Sequence, residues 1–206
     1  MKHINLLAYF LMSISFCQAQ KIGTLYYGVS SDSLHRGHQI EFKTDTSLEL
    51  SSFPRHMSQQ FRLTLNYKKT DKTLEIYNTS VSKGDSIALI NHGFKQYLNN
   101  TILTIEGKAL RDDLNNLVYV LHKDFKKKYY LIYLIDGKMY KQETGLSDSY
   151  GLIDNRGREN KELKEKMTSI KDDLNNYDLK IYKGLDAYKK FGYESVFGVI
   201  ELKRKM

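Results

Sequence analysis

The chain has 206 residues, a formal net charge of +8, one cysteine and 41% hydrophobic residues, including 16 Tyr and 9 Phe. That apolar content is enough to bury a core without disulfides or metals, and it excludes a disordered chain. The basic excess does not read as nucleic-acid binding, because Lys and Arg are spread among 24 acids and cluster only at Lys126-Lys127-Lys128 and Lys203-Arg204-Lys205.

Residues 1–19 are expected to be a cleavable signal peptide. Lys2 and His3 precede an apolar run from Ile4 to Phe16, and Cys17-Gln18-Ala19-Gln20 supplies the small and polar residues of a cleavage site. The run is shorter than the roughly 20 apolar residues of a membrane-spanning helix. Cys17 stands where a bacterial lipoprotein carries its lipid, but the bulky Phe16 before it argues against that processing. The expected location is therefore the periplasm, the outer-membrane surface or the exterior. Beyond Cys17 the chain holds no thiol, so cysteine catalysis and intrachain disulfides are excluded.

Residues 20–128 read as a β-rich region. Ile40 to Phe42 and Leu48 to Leu50 look like early strands, and Phe61 to Tyr67 alternates strictly between apolar and polar residues. Leu74 to Tyr77 repeats that alternation as a hairpin partner would, and Thr101 to Glu106 is a further candidate. Leu117 to Leu121 and Tyr129 to Ile135 are short continuous apolar runs, which fits strands buried on both faces. Asp136-Gly137 is a hairpin turn signal, with Met139-Tyr140 starting the returning strand.

Residues 129–206 form the second expected unit. Residues 141–158 are polar and glycine-bearing, as a connection would be. From Glu159 to Leu174 the apolar positions Leu163, Met167, Ile170 and Leu174 recur at helical spacing, and Glu162 is placed to pair with Lys166. Leu179 to Tyr182 reads as a strand, Leu185 to Phe191 as a short helix and Gly198 to Leu202 as a last strand. The hexapeptide Arg111-Asp112-Asp113-Leu114-Asn115-Asn116 is echoed by Lys171-Asp172-Asp173-Leu174-Asn175-Asn176, without the flanking similarity of a repeat.

Lys183, Ala187, Phe191-Gly192 and Gly198-Val199-Ile200, with Tyr133-Leu134-Ile135-Asp136-Gly137 upstream, resemble the plug domain of TonB-dependent outer-membrane receptors in its Bacteroidetes form. The likeness covers roughly residues 129–205. Ser195 and Phe197 depart from it, standing where that family usually has Gly and Asn. The resemblance implies a plug-like fold and an outer-membrane setting. It implies transport only if another chain supplies the barrel that a receptor needs, because no such run of strands comes after the motif.

The expected fold class is thus α+β: an antiparallel β-rich N-terminal region followed by a small plug-like αβ module. No catalytic residue, metal ligand or cofactor is assigned. The expected function is non-enzymatic, an envelope module that binds an outer-membrane or other envelope protein. One rival is a small-molecule or lipid carrier built as a barrel with an apolar cavity. The other is a metal-dependent hydrolase using His35, His38 or His56, which requires those imidazoles to converge.

Overall fold

A computed structural model describes residues 21–32, 37–53, 60–77, 81–94, 100–125, 128–144 and 157–205. The expected signal peptide and Cys17 lie outside the described residues, as do His35 and His56.

Eight strands come first: β1 (Leu25–Ser30), β2 (His38–Phe42), β3 (Ser47–Ser52), β4 (Arg62–Lys69), β5 (Thr73–Tyr77), β6 (Ile102–Glu106), β7 (Ala109–Asp112) and β8 (Leu117–Leu121). Each pairs antiparallel with the next, and β8 returns to β1 with Leu121 opposite Tyr26 and Leu117 opposite Ser30. The sheet therefore closes into a barrel. Period-two alternation sorts the side chains: Tyr26, Ile40, Phe42, Leu48, Leu50, Leu65, Leu74, Ile76 and Tyr119 point inward and are at most 1% exposed. Eight strands enclose a space that such side chains fill. Glu41, Glu49, Arg62, Asn66, Lys68 and Glu75 alternate with them on the outside. A barrel that spans a bilayer has the opposite arrangement, with an apolar band facing lipid.

Helix α1 (Lys83–Asn91) lies between β5 and β6 in the chain. The Ser82 hydroxyl accepts the Asp85 N–H at 3.1 Å and so satisfies a free amide of the first turn. Ala88 and Leu89 then add to the barrel core beside Phe61 and Phe94.

The C-terminal part comprises the single turn α2 (His122–Phe125), β9 (Tyr129–Ile135), β10 (Lys138–Thr144), α3 (Lys161–Ile170), β11 (Tyr177–Tyr182), α4 (Gly184–Phe191) and β12 (Val199–Arg204). Its four strands lie in the order β10-β9-β12-β11, with β12 parallel to β9 and the other pairs antiparallel. Asp136 and Gly137 adopt φ of 48° and 85°, the positive pair that a two-residue hairpin needs. α3 covers one face through Leu163 and Ile170, packed on Ile135, Tyr140, Tyr177 and Leu202. On the other face Ala187 of α4 packs against Ile132 and Val199.

The expected α+β class, with a β-rich region and then a small plug-like αβ module, is corrected by this architecture. The first region is a closed eight-stranded antiparallel barrel with its own core. The C-terminal part is not an appended module, because it shares a second core with the barrel wall. Val29, Val118 and Val120, on the outer face of β1 and β8, pack with Phe125, Leu185 and Val196. The cause lies in β8, whose five residues are all buried. Leu117, Tyr119 and Leu121 fill the barrel, so Val118 and Val120 require a cover, and α4 with the turn after it provides that cover.

Smaller differences have local causes. The helix expected to run to Leu174 ends at Ile170, and Lys171–Asn176 tightens into a 3-10 turn that leaves Leu174 40% exposed. Glu162 pairs with Lys138 rather than Lys166, which lies 3.7 Å from Asp136. β10 continues to Thr144, into the stretch read as a connection.

Candidate interaction surface

The residues singled out in the C-terminal motif gather around α4. Gly184, its first residue, has φ of 57° and lies against β1 so closely that a methyl group there would be 2.2 Å from the Ser30 carbonyl carbon. Lys183 precedes it without capping the helix by its own side chain. The cap comes from the barrel: the Ser31 hydroxyl accepts the Asp186 N–H at 3.0 Å and donates to the Lys183 carbonyl at 2.9 Å. Gly192, with φ of 88°, ends the helix and donates its N–H to the Tyr188 carbonyl. Ser195 is buried with its hydroxyl 2.6 Å from the Gly192 carbonyl and 2.9 Å from that of Ala187. Phe197 packs its ring on Phe125 and Tyr129. Ser195 thus closes the end of α4, and Phe197 joins the core shared with the barrel wall.

Tyr193 fastens the same junction: its hydroxyl accepts the Leu121 N–H at 2.9 Å and donates to Asp124 at 3.2 Å. Asp136 has a comparable role at the far end of the sheet, accepting from the Tyr177 hydroxyl and the Arg204 N–H, both at 3.1 Å. Phe191 packs on Tyr182, and Val199 and Ile200 belong to β12. Each of these contacts is internal to the fold.

His38 is completely buried inside the barrel, 3.2 Å from the Tyr119 hydroxyl, and a methyl group at Gly28 would strike its ring. Phe94 packs against the same imidazole. Asp112, also buried, accepts from the backbone and side-chain amides of Asn115 at 3.1 and 2.9 Å. Burial nevertheless holds its carboxyl above the usual range. Among the described residues no group of three His, Cys, Asp or Glu is placed to hold a metal ion.

A cleft of about 630 Å³ lies between the barrel and α4, lined by Glu106, Lys108, Arg111, Tyr188, Lys189 and Glu194. Its charges are already matched: Arg111 pairs with Glu106 and with Asp113, Lys189 with Asp113 at 2.8 Å, and Lys141 with Glu194 at 2.6 Å. Lys189 and Arg111 outweigh partial burial and hold Asp113 below the usual carboxylate range. Burial, with Glu106 beside it, pushes the Tyr188 hydroxyl up to about 12. The cleft has no excess charge with which to select an ionic ligand.

The two edges of the C-terminal sheet differ. Along β10 the chain itself covers the edge: Asn160 donates its side-chain amide to the Lys141 carbonyl at 3.1 Å, and Gln142 donates to the Arg158 carbonyl at 2.9 Å. Gly157 approaches so closely that a methyl group would overlap the Glu143 carbonyl. Among the described residues no strand pairs with the outer side of β11. Its register with β12, and the bond from the Lys205 N–H to the Asn176 carbonyl, turn Asp178, Lys180 and Tyr182 toward β12. The backbone N–H and C=O groups of Leu179 and Ile181 and the Tyr177 carbonyl therefore face outward, while the Tyr177 N–H donates to the Leu174 carbonyl.

Side chains reinforce that difference. Leu179 is 59% exposed and Ile181 69%, on the face that α3 covers only near Tyr177. They border Ile200 and Tyr133, which stand in line with Ile181 across β12 and β9. The opposite face of β11 is polar, with Asp178 and Lys180 beside the Tyr182–Glu201–Lys190 cluster. There Lys190 and Tyr182 bond to Glu201 and hold it below the usual carboxylate range. Alternation in Leu179-Lys180-Ile181-Tyr182 is legible as a strand; its place at the edge of the sheet is not.

No protein-family model, no curated protein and no solved structure matches this chain. No helix among the described residues is long and apolar enough to cross a membrane.

Proposed function

We propose that the chain is an exported, non-enzymatic interaction module of the bacterial envelope, and that β11 is the edge through which it docks another envelope protein. The observation that carries this reading is the edge of β11, unpaired among the described residues, with the backbone groups of Leu179 and Ile181 facing outward and their side chains in solvent. Exposed edges with apolar side chains are where a protein adds a strand from a partner. Covering β10 while leaving β11 open makes the exposure selective. The signal-like N-terminus and the plug-like motif support the envelope as the setting.

The rival readings draw less from the geometry. A carrier needs an apolar hollow of several hundred Å³, whereas the barrel interior is packed with Tyr26, Phe42, Leu48, Leu50, Leu65 and Tyr119. For a hydrolase, His38 is enclosed against Tyr119 rather than presented in a cleft.

A photo-crosslinking side chain at position 181, introduced in the native envelope, tests the proposal. A discrete protein adduct is expected, and its yield should fall when Leu179 is replaced by Ser. Adducts to lipid alone, or protein adducts indifferent to Leu179→Ser, would overturn it.

A further inference from the structure

Resting on the reading of β11 as a docking edge, we infer that its occupant is β11 of a second copy, paired antiparallel about a two-fold axis at Leu179. The inference rests on register and charge. Only Leu179 and Ile181, with both backbone groups, and Tyr177, with its carbonyl, face outward, the Tyr177 N–H being donated to the Leu174 carbonyl, so only these can hydrogen-bond to another strand. A two-fold axis makes the contact self-complementary, residue i facing j and j facing i. Three registers that satisfy both conditions set more than one of these residues of each strand opposite another.

If Tyr177 faced Leu179 of the partner, Asp178 would face Asp178. If Leu179 faced Ile181, Lys180 would face Lys180. Both registers place like charges directly opposite, at the closer non-hydrogen-bonded spacing of about 4.5 Å between Cα atoms, which is destabilising. In the third register Leu179 faces Leu179 and Tyr177 faces Ile181. Asp178 then faces Lys180 of the second copy, twice. That register alone makes opposite pairs of both charges, and it places the exposed Leu179 and Ile181 side chains against apolar partners.

The same logic operates inside the chain. On β12, Lys203 stands opposite Asp178 and Glu201 opposite Lys180. Along each face-to-face row the charges would alternate from β12 through β11 into the second copy. A lone Lys on an edge strand normally repels further pairing. Here Asp178, two residues earlier, converts that guard into a selector for one register. The product is a continuous eight-stranded sheet formed from two four-stranded ones.

The test uses the full chain with Cys17→Ser, so that any thiol is an introduced one. Sedimentation should show a reversible monomer–dimer equilibrium. Asp178→Lys should weaken it at least about tenfold by facing Lys with Lys twice, and Asp178→Lys combined with Lys180→Asp should restore it. Those changes also disturb the pairs with Lys203 and Glu201, so single cysteines give a second readout that leaves the charges intact. Under mild oxidation Leu179→Cys should form a disulfide-linked dimer, because position 179 faces itself. Ile181→Cys faces Tyr177 and should link about tenfold less.

A chain that stays monomeric at all concentrations overturns the inference, as does linkage of Ile181→Cys as readily as Leu179→Cys. If the monomer still gives a Leu179-dependent adduct to a different envelope protein, the docking reading survives and only the identity of the occupant fails. Absence of both the dimer and any adduct removes both.

Discussion

At the junction between barrel and sheet, single atoms decide what the chain tolerates. Gly184 combines positive φ with backbone contact on Ser30 and Ser31. Gly184→Ala therefore meets a clash that no rotamer relieves, and it should cost about 2–4 kcal/mol of stability in urea unfolding. Ser31→Ala, which removes the borrowed cap of α4, should cost about 1 kcal/mol. A neutral Gly184→Ala would refute the close approach. Neither role is legible in sequence: the motif around Lys183 marks a helix start, but its cap lies about 150 positions earlier in the chain. Asp112 makes a pH-dependent prediction. Its carboxyl is held above the usual range by burial, so the folded state prefers the proton. That preference stabilises the fold fully below the ordinary carboxylate pKa of about 4 and is lost as pH rises through the elevated value. Asp112→Asn keeps an acceptor for the Asn115 N–H and removes the titration. The stability of the native chain relative to the variant should therefore fall as pH rises above the ordinary carboxylate range; a constant difference would show that Asp112 titrates normally.

Elements differ in how far local pattern determines them. β4 is readable because Leu63, Leu65 and Tyr67 enter the core while Arg62, Thr64 and Asn66 stay wet. The Asp136-Gly137 turn is readable because few residue pairs accept two positive φ values. α1 is not, since its apolar residues do not cluster on one face; its signal is the Ser82 cap with Asp85 three residues on. The echoed hexapeptides show the limit most directly. Arg111–Asn116 ends β7 and turns into β8, with Asp112 and Asn115 buried, whereas Lys171–Asn176 forms an exposed 3-10 turn after α3. Nearly identical local preferences are resolved by what each segment packs against. For the barrel itself, Leu74→Ala removes a completely buried side chain from the core and should cost about 2–5 kcal/mol, measured by thermal or urea unfolding. A change below about 1 kcal/mol would mean that the interior is loosely filled rather than packed.

Across the whole molecule, the barrel and the C-terminal sheet are held together by the Val118–Val120–Leu185–Val196 core and by the Tyr193 and Ser31 hydrogen bonds. They should unfold together. Leu185→Ala is expected to lower the unfolding midpoints seen by hydrogen exchange in β8 and in β12 by the same amount, about 2–4 kcal/mol in stability. Separate transitions for the two sheets would refute a shared core. The amino-acid sequence by itself determined the strand alternation, the tight turn, the two C-terminal helices and the double-sided burial of β8, because these depend on residue preference and periodicity over a few positions; of β9 only Ile132 and Ile135 are buried. Closure of β8 onto β1, the borrowing of Ser31 to cap α4, the covering of one sheet edge and the exposure of the other were decided only in three dimensions. The first two depend on which surfaces meet across about a hundred residues of chain or more, and the edges on where each strand lies in the folded sheet; local preference carries no information about either.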